Sequence, residues 1–186
     1  HCNKTLIHPT ILSWLLAHTD CPPITINNKT TQYTLSPELF NDKPVKDLNK
    51  INLLLTRFDQ ADLPLPLGNA LLKFVIINDF YVQKNGCFLA YKYVRTDGYD
   101  CHTGTLRNDI GSVISMPRDR VDDDPQRDCA PGLHVGSVNY IIKYAYNTPT
   151  NTNKPWSACL PPALKIIGVL VDPKDVVAVP NEEKIR

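Results

Sequence analysis

The chain has little glycine, a single methionine and no charge of one dominant sign. It holds 8 Gly in 186 residues, and 20 Lys plus Arg stand against 19 Asp plus Glu, a net charge of +1. That balance creates no strong field for nucleic acid or an anionic membrane, so a nucleic-acid function is not favoured. No apolar stretch reaches the roughly 18 residues of a membrane-spanning helix. The longest, around 11–16 and 71–77, suit buried or amphipathic helices. No CxxC pair exists among the cysteines at 2, 21, 87, 101, 129 and 159, which removes the usual basis for a structural zinc site. Their wide, irregular spacing also forms no dense disulfide framework, and reduced thiols are expected. The chain starts with His1 rather than Met and carries no recognisable signal peptide, so a trimmed fragment is expected.

What is there is distributed unevenly. Hydrophobic residues make up 42% of the chain and charged residues 21%, enough for one domain or a domain with a small lobe. Residues 10–18 carry the spacing of a short amphipathic helix, ended by Pro22-Pro23, and 24–35 alternate as a hairpin around Asn27-Asn28-Lys29. Ser36-Pro37 marks a further helix entry. Apolar periodicity predicts helices over 45–58 and 69–80, separated by Leu63-Pro64-Leu65-Pro66. After the Lys84-Asn85-Gly86 turn the pattern changes to strands: 87–95 with Phe88, Ala90 and Tyr93 on one face, then 112–116, 164–171 and 176–179. A short helix capped by Ser137 is expected over 137–145, followed by a polar loop at 147–154. Helices first and strands later argue α+β, with a mixed or antiparallel small sheet and one or two short helices. The expected division is an N-terminal segment 1–45, a helical segment 46–84 and a β-rich domain 85–186.

Candidate chemistry concentrates between 86 and 140, where Gly98, Gly104, Gly111, Gly132 and Gly136 mark tight turns. Asp122-Asp123-Asp124 is a run of repelling carboxylates that Arg118, Arg120 and Arg127 could neutralise. It lacks the spacing of a calcium loop, so Asp122 and Asp124 are only weak metal candidates and none is favoured. Cys129 and His134 flank the Pro131-Gly132 turn and could serve as nucleophile and base or as two ligands; equally, His134 could pin the turn through the backbone. Asp100-Cys101-His102 repeats the theme, and Asp100 could orient His102 or His134 if the two turns meet. Arg95, Arg107 and Arg118 are candidate anion clamps, although such arginines more often form surface pairs.

The motifs also occur in one order. NGCFLAYKYVR, HTGTLRNDIGSVISMPRDRVDDDPQRDC, GLHVGSVNY and VLVDPKDVVAVP together resemble the rIIB-like proteins of T-even-type tailed bacteriophages, over about residues 53–180. At 181–184 the chain reads Asn-Glu-Glu-Lys where the family often continues with an Asp-Tyr-Asn-Asn-like run, a departure that again fits a chain without natural ends. The resemblance implies an accessory or regulatory phage protein, tied to lysis timing or resistance to host exclusion and acting through protein–protein contacts. It implies a phage or host protein as partner, with homo-oligomers and peripheral membrane association as further expectations. The implied location is the infected cell's cytoplasm or inner membrane face. A virion component is one alternative. A nucleotide- or NAD-handling enzyme using the His134 turn is another. No cofactor and no catalytic residue comes with the resemblance, so an enzyme is the less favoured expectation.

Overall fold

The computed structural model describes residues 24–27, 32–35, 48–127, 130–138, 140–141 and 164–180. It is α+β, with helices preceding a small sheet, and divides into two units: 1–89 with 171–179, and 90–170 with 180–186. The expected helix over 10–18, the helix entry at Ser36-Pro37, the loop 147–154 and Cys129 lie outside the described residues.

The first unit opens with strands β1 (Ile24–Asn27) and β2 (Gln32–Leu35), an antiparallel pair in which Ile24 faces Leu35 and Ile26 faces Tyr33. Helix α1 (Leu48–Gln60) then buries Ile51, Leu54, Leu55 and Phe58, the i, i+3, i+4, i+7 stripe that a 3.6-residue period aligns on one face. Helix α2 (Leu65–Ile77) buries Leu71, Leu72, Val75 and Ile76. It begins four residues earlier than the periodicity implied. Pro66 sits in its first turn, where the missing N–H has no intrahelical acceptor to lose, so the proline that looked like a breaker belongs to the helix start.

Both helices stop by the same device. Asp62 and Asp79 take positive φ, each 50°, in the place where glycine is usual. Leu63 N–H bonds Phe58 C=O at 3.0 Å and Asp62 N–H bonds Asp59 C=O at 3.3 Å; after α2, Phe80 bonds Val75 at 3.1 Å and Asp79 bonds Ile76 at 3.0 Å. The residue beyond each stop, Leu63 or Phe80, is buried and closes the helix end with an apolar contact surface. Phe80 lies 5.2 Å from Phe74 and 5.9 Å from Phe88, ring centre to ring centre, at angles that avoid face-to-face stacking.

Helix α2 ends at Ile77, where helix was expected to continue to residue 80, and strand β3 (Tyr81–Val82) follows. It pairs antiparallel with the start of β4 (Phe88–Arg95), Tyr81 opposite Leu89 and Val82 opposite Phe88. Gly86 makes the hairpin possible at φ +82°, and a Cβ there would stand 2.3 Å from Arg57 Cβ and 2.8 Å from Leu53 O. Only glycine fits that approach to α1. In the same unit Arg57 grips Asp172 with two parallel hydrogen bonds, Nε to Oδ1 at 2.9 Å and Nη2 to Oδ2, fixing α1 against the 3-10 turn Pro173–Asp175. The Asp172 carboxylate also accepts from Lys174 N–H at 3.1 Å, capping that turn.

In the second unit β4 buries Ala90 and Val94, so its inward partner is Val94 rather than Tyr93, which has the opposite parity. Among the described residues the sheet order is β3-β4-β5, with β5 (Leu164–Val171) at an edge; the sequence pattern predicted a strand over that span. Ser137 caps a helical turn: its Oγ accepts from Tyr140 N–H at 3.1 Å and its carbonyl from Ile141 N–H at 3.0 Å. Two expected strands are absent. Residues 112–116 and 176–179 form no ladder; Val113 points its side chain into solvent, so the alternation there marks no buried face.

Candidate functional site

The Asp100 turn is the most highly organised of the chemistry-bearing segments. The chain reverses at Gly98 (φ +90°), and an antiparallel bridge sets Asp100 opposite Val94 on β4. Asp100 is 4% exposed, and its carboxylate collects the N–H groups of Thr103 (2.6 Å), Thr105 (3.0 Å) and Leu106 (2.7 Å) together with the Thr103 hydroxyl (2.9 Å). Burial pushes this carboxyl up, but the hydrogen bonds from Thr103, Leu106 and Thr105 outweigh it and hold its pKa at about 2. Asp100 is thus spent on its own turn and does not hold either histidine by a hydrogen bond. Asn108 completes the arrangement from a buried position, its amide donating to Leu106 O at 2.9 Å and Gly98 O at 3.3 Å.

The acidic run is neutralised locally. Arg118 bonds Asp123 at 2.6 Å and the Val121 carbonyl at 3.0 Å; Arg127 reaches Asp122 at 2.7 Å and Asp124 at 3.4 Å. Asp122 titrates below the ordinary carboxylate range because Asp124 N–H bonds it and, against slight burial, Arg127 stands beside it. Its own N–H ties the run to Pro131 O at 2.9 Å. No group of three or more His, Cys, Asp or Glu side chains suited to a metal ion occurs among the described residues. The other candidate clamps also have local partners: Arg95 bonds Asp97 at 2.6 Å, and Arg107 bonds Asp109 at 2.9 Å while lying 6.0 Å from the centre of the Tyr99 ring.

What the fold does bring together lies along one stretch of β4. Gly136 bridges Tyr91 through reciprocal bonds of 2.9 and 2.8 Å, and Asp100 bridges Val94 three residues on. Lys92 stands between the two bridge positions, so the Gly136 segment and the turn at Asp100 both adjoin this stretch of β4. His134 occupies irregular chain before the Gly136 bridge, and both it and His102 are exposed. Partial crowding of the ring lowers the His134 pKa below 6.5, with the Lys92 charge and then His102 adding to the effect. Lys92 is half-buried and its pKa is also lowered, by burial against the opposing attraction of Asp100. Lys92 was not singled out from the sequence; it has the parity of the buried Ala90 and Val94, and its signal was a lysine between Tyr91 and Tyr93 in an otherwise apolar run.

Cys87 and Cys101 are free thiols. Burial, followed by the Asp172 charge, raises the Cys87 pKa, the reverse of what a reactive thiolate requires. Cys87 lines a shallow pocket of about 420 Å³ in the first unit with Leu53, Lys84, Asn85 and the Arg57–Asp172 pair. No helix among the described residues is long and apolar enough to cross a membrane.

These features define a small α+β protein whose polar turns are largely satisfied from within, without a complete catalytic constellation among the described residues. The family model for bacteriophage T4 protein rIIB matches residues 66–186, starting later than the 53 expected from the motifs and running on through the departure at 181–184. The protein rIIB of Enterobacteria phage T4 is 36% identical over 119 residues, which is 62% of this chain and 33% of that relative. The chain belongs to the rIIB family. It spans about a third of the length of that relative. No solved structure matches.

Proposed function

We propose that this chain is an accessory phage protein that works through protein–protein contacts, in the lysis-timing or host-exclusion setting that its family resemblance implied. The observation that carries the reading is the loop between Asp109 and Pro117. Ile110 and Val113 are 101% and 96% exposed, values at which neither side chain contributes to this chain's own core. Ser112 N–H bonds Asp109 O at 3.1 Å and Gly111 takes φ +81°, so the two side chains stand on a hydrogen-bonded turn. Fully exposing two branched aliphatic side chains forgoes the roughly 1.5–3 kcal/mol that burying each could contribute. Adjacent exposed apolar residues of this kind mark interaction surfaces. Strand β5, at the sheet edge among the described residues, adds Leu170, 50% exposed, and Ile166, 38% exposed.

The enzyme reading has less support. Asp100 is bound to its turn, and the arginines that could clamp an anion are engaged by neighbouring carboxylates. The test is co-purification from infected cells with the wild-type chain and an Ile110→Ser/Val113→Ser variant. The reading expects a defined phage or host protein with the wild type and its loss with the variant. Equal recovery, or none with either, would overturn it.

A further inference from the structure

We infer that the cavity between α1 and the β3–β4 hairpin is a binding site for a small phosphate monoester, with Lys84 as its charged anchor. The cavity holds about 420 Å³ and lies wholly within the first unit. Thr56 and Arg57 line it from α1, Lys84 and Asn85 from the hairpin, and Asp172 from the returning chain. Gly86 brings these walls together, because its missing side chain lets the hairpin settle on α1 at Leu53 and Arg57. The turn that carries Lys84 and Asn85 is closed by Gln83 N–H to Cys87 O at 2.8 Å and Gly86 N–H to Gln83 O at 2.9 Å.

The polar groups around the cavity divide by sign. Its acceptors are occupied. Asp172, the one carboxylate among the lining residues, takes two bonds from Arg57 and one from Lys174 N–H. Asn85 Oδ1 accepts from Cys87 N–H at 3.1 Å, and Gln60 Oε1 from Arg57 Nη1 at 3.4 Å. Its donors are open. The Lys84 ammonium, the Asn85 NH2 and the Thr56 hydroxyl have no hydrogen-bond partner among the described residues, and all three residues are exposed. A cavity with free donors and a neutralised carboxylate selects an anion rich in acceptors. The open donors come from two separate elements, so they suit the several oxygens of a tetrahedral phosphate. A planar carboxylate is best met by a single arginine fork, and Arg57 has given its Nε–Nη2 edge to Asp172. Leu53 and the neutral Cys87 thiol add an apolar stretch of wall. The volume falls in the range of roughly 300–1,000 Å³ usual for small-molecule sites, which leaves room for an organic body on the phosphate.

This inference does not rest on the loop at 109–117. It is tested by calorimetric titration of the whole chain with inorganic phosphate, glycerol 3-phosphate, acetate and glycerol at constant ionic strength. Saturable binding is expected with both phosphates, several-fold tighter for glycerol 3-phosphate, and none with acetate or glycerol. Lys84→Gln should weaken both phosphates about tenfold, and Thr56→Val several-fold. Both positions are exposed, so urea midpoints should stay at the wild-type value; Arg57 is left in place because its loss would strand Asp172. Phosphate should also move the backbone amide resonances of 84–87 and leave those of the Asp100 turn unchanged. No saturation, acetate bound as tightly as phosphate, undiminished binding by Lys84→Gln, or resonance shifts confined to other residues would overturn the site. Equal affinity for the two phosphates would overturn the assignment of an organic body.

Discussion

Replacing Asp100 with Asn keeps the size of the side chain and removes only its charge and half its acceptor capacity. In the wild type Oδ1 accepts from Thr105 and Leu106 N–H, and Oδ2 from Thr103 N–H, while the Thr103 hydroxyl lies within 3.0 Å of both oxygens. An amide can keep its carbonyl toward Thr105 and Leu106, but its NH2 then faces the Thr103 N–H, donor against donor. A shift in pKa from 3.8 to about 2 is worth about 2.5 kcal/mol of folding stability at ~1.4 kcal/mol per unit. Screening by nearby solvent makes this an upper value. The independent estimate from one buried unsatisfied donor, roughly 1–3 kcal/mol, agrees. Urea unfolding at pH 7 should therefore show Asp100→Asn destabilised by about 2 kcal/mol. The pH dependence has a definite sign. A depressed carboxyl pKa contributes stability that is fully present above 3.8 and is lost as pH falls through about 2. The gap between wild type and variant should accordingly close across that window. Thr103→Val, which removes the hydroxyl donor but spares the charge, should cost about 1 kcal/mol with a smaller change across the same range. An unfolding midpoint for Asp100→Asn equal to wild type at pH 7, or a gap undiminished at pH 2, would refute the assignment of Asp100 to its turn.

Other substitutions test separate parts of the account. Gly86→Ala should destabilise by about 2–4 kcal/mol in urea titration, because the added Cβ meets the α1 backbone at positive φ. Asp62→Gly should do the opposite, raising stability by about 0.5–1 kcal/mol, since Asp62 holds φ 50° at a helix stop where glycine has no Cβ to strain. His134 titrates below 6.5, so the unfolded chain takes up its proton first and folding stability rises with pH through the window just under that value. His134→Gln should flatten that slope in unfolding curves recorded between about pH 5 and 7.

The parts of this molecule that were legible in its sequence are those decided by neighbours in the chain. Alternation over 24–35, 88–95 and 164–171 gave strands, and Ser137 gave a cap, because side-chain period and capping chemistry act within a few residues. The same alternation misled at 112–116, where Val113 and Ile110 face solvent and no ladder forms. Periodicity reports a preference for an extended chain, and only a partner strand turns that preference into sheet. Asp62 and Asp79 escaped notice as helix stops because aspartate in the left-handed region carries no compositional mark of the kind glycine does. The turns at 98–109 and 121–134 stood out as chemically dense, but their density had to be divided between uses. Asp100 and the Asp122–Asp124 run proved to be consumed by backbone and arginine. The approach of the Asp100 turn and the Gly136 segment to β4 depends on bridges from Val94 to Asp100 and from Tyr91 to Gly136, the latter 45 residues apart in sequence. No local pattern encodes that distance.

The reading that the second unit displays a contact surface is tested most directly by a photo-crosslinking residue at position 113, introduced into the chain expressed during infection. The account predicts a discrete adduct with one phage or host protein, identified by mass spectrometry and absent when the crosslinker is placed at exposed Lys84. A pattern at 113 indistinguishable from that at 84 would contradict it.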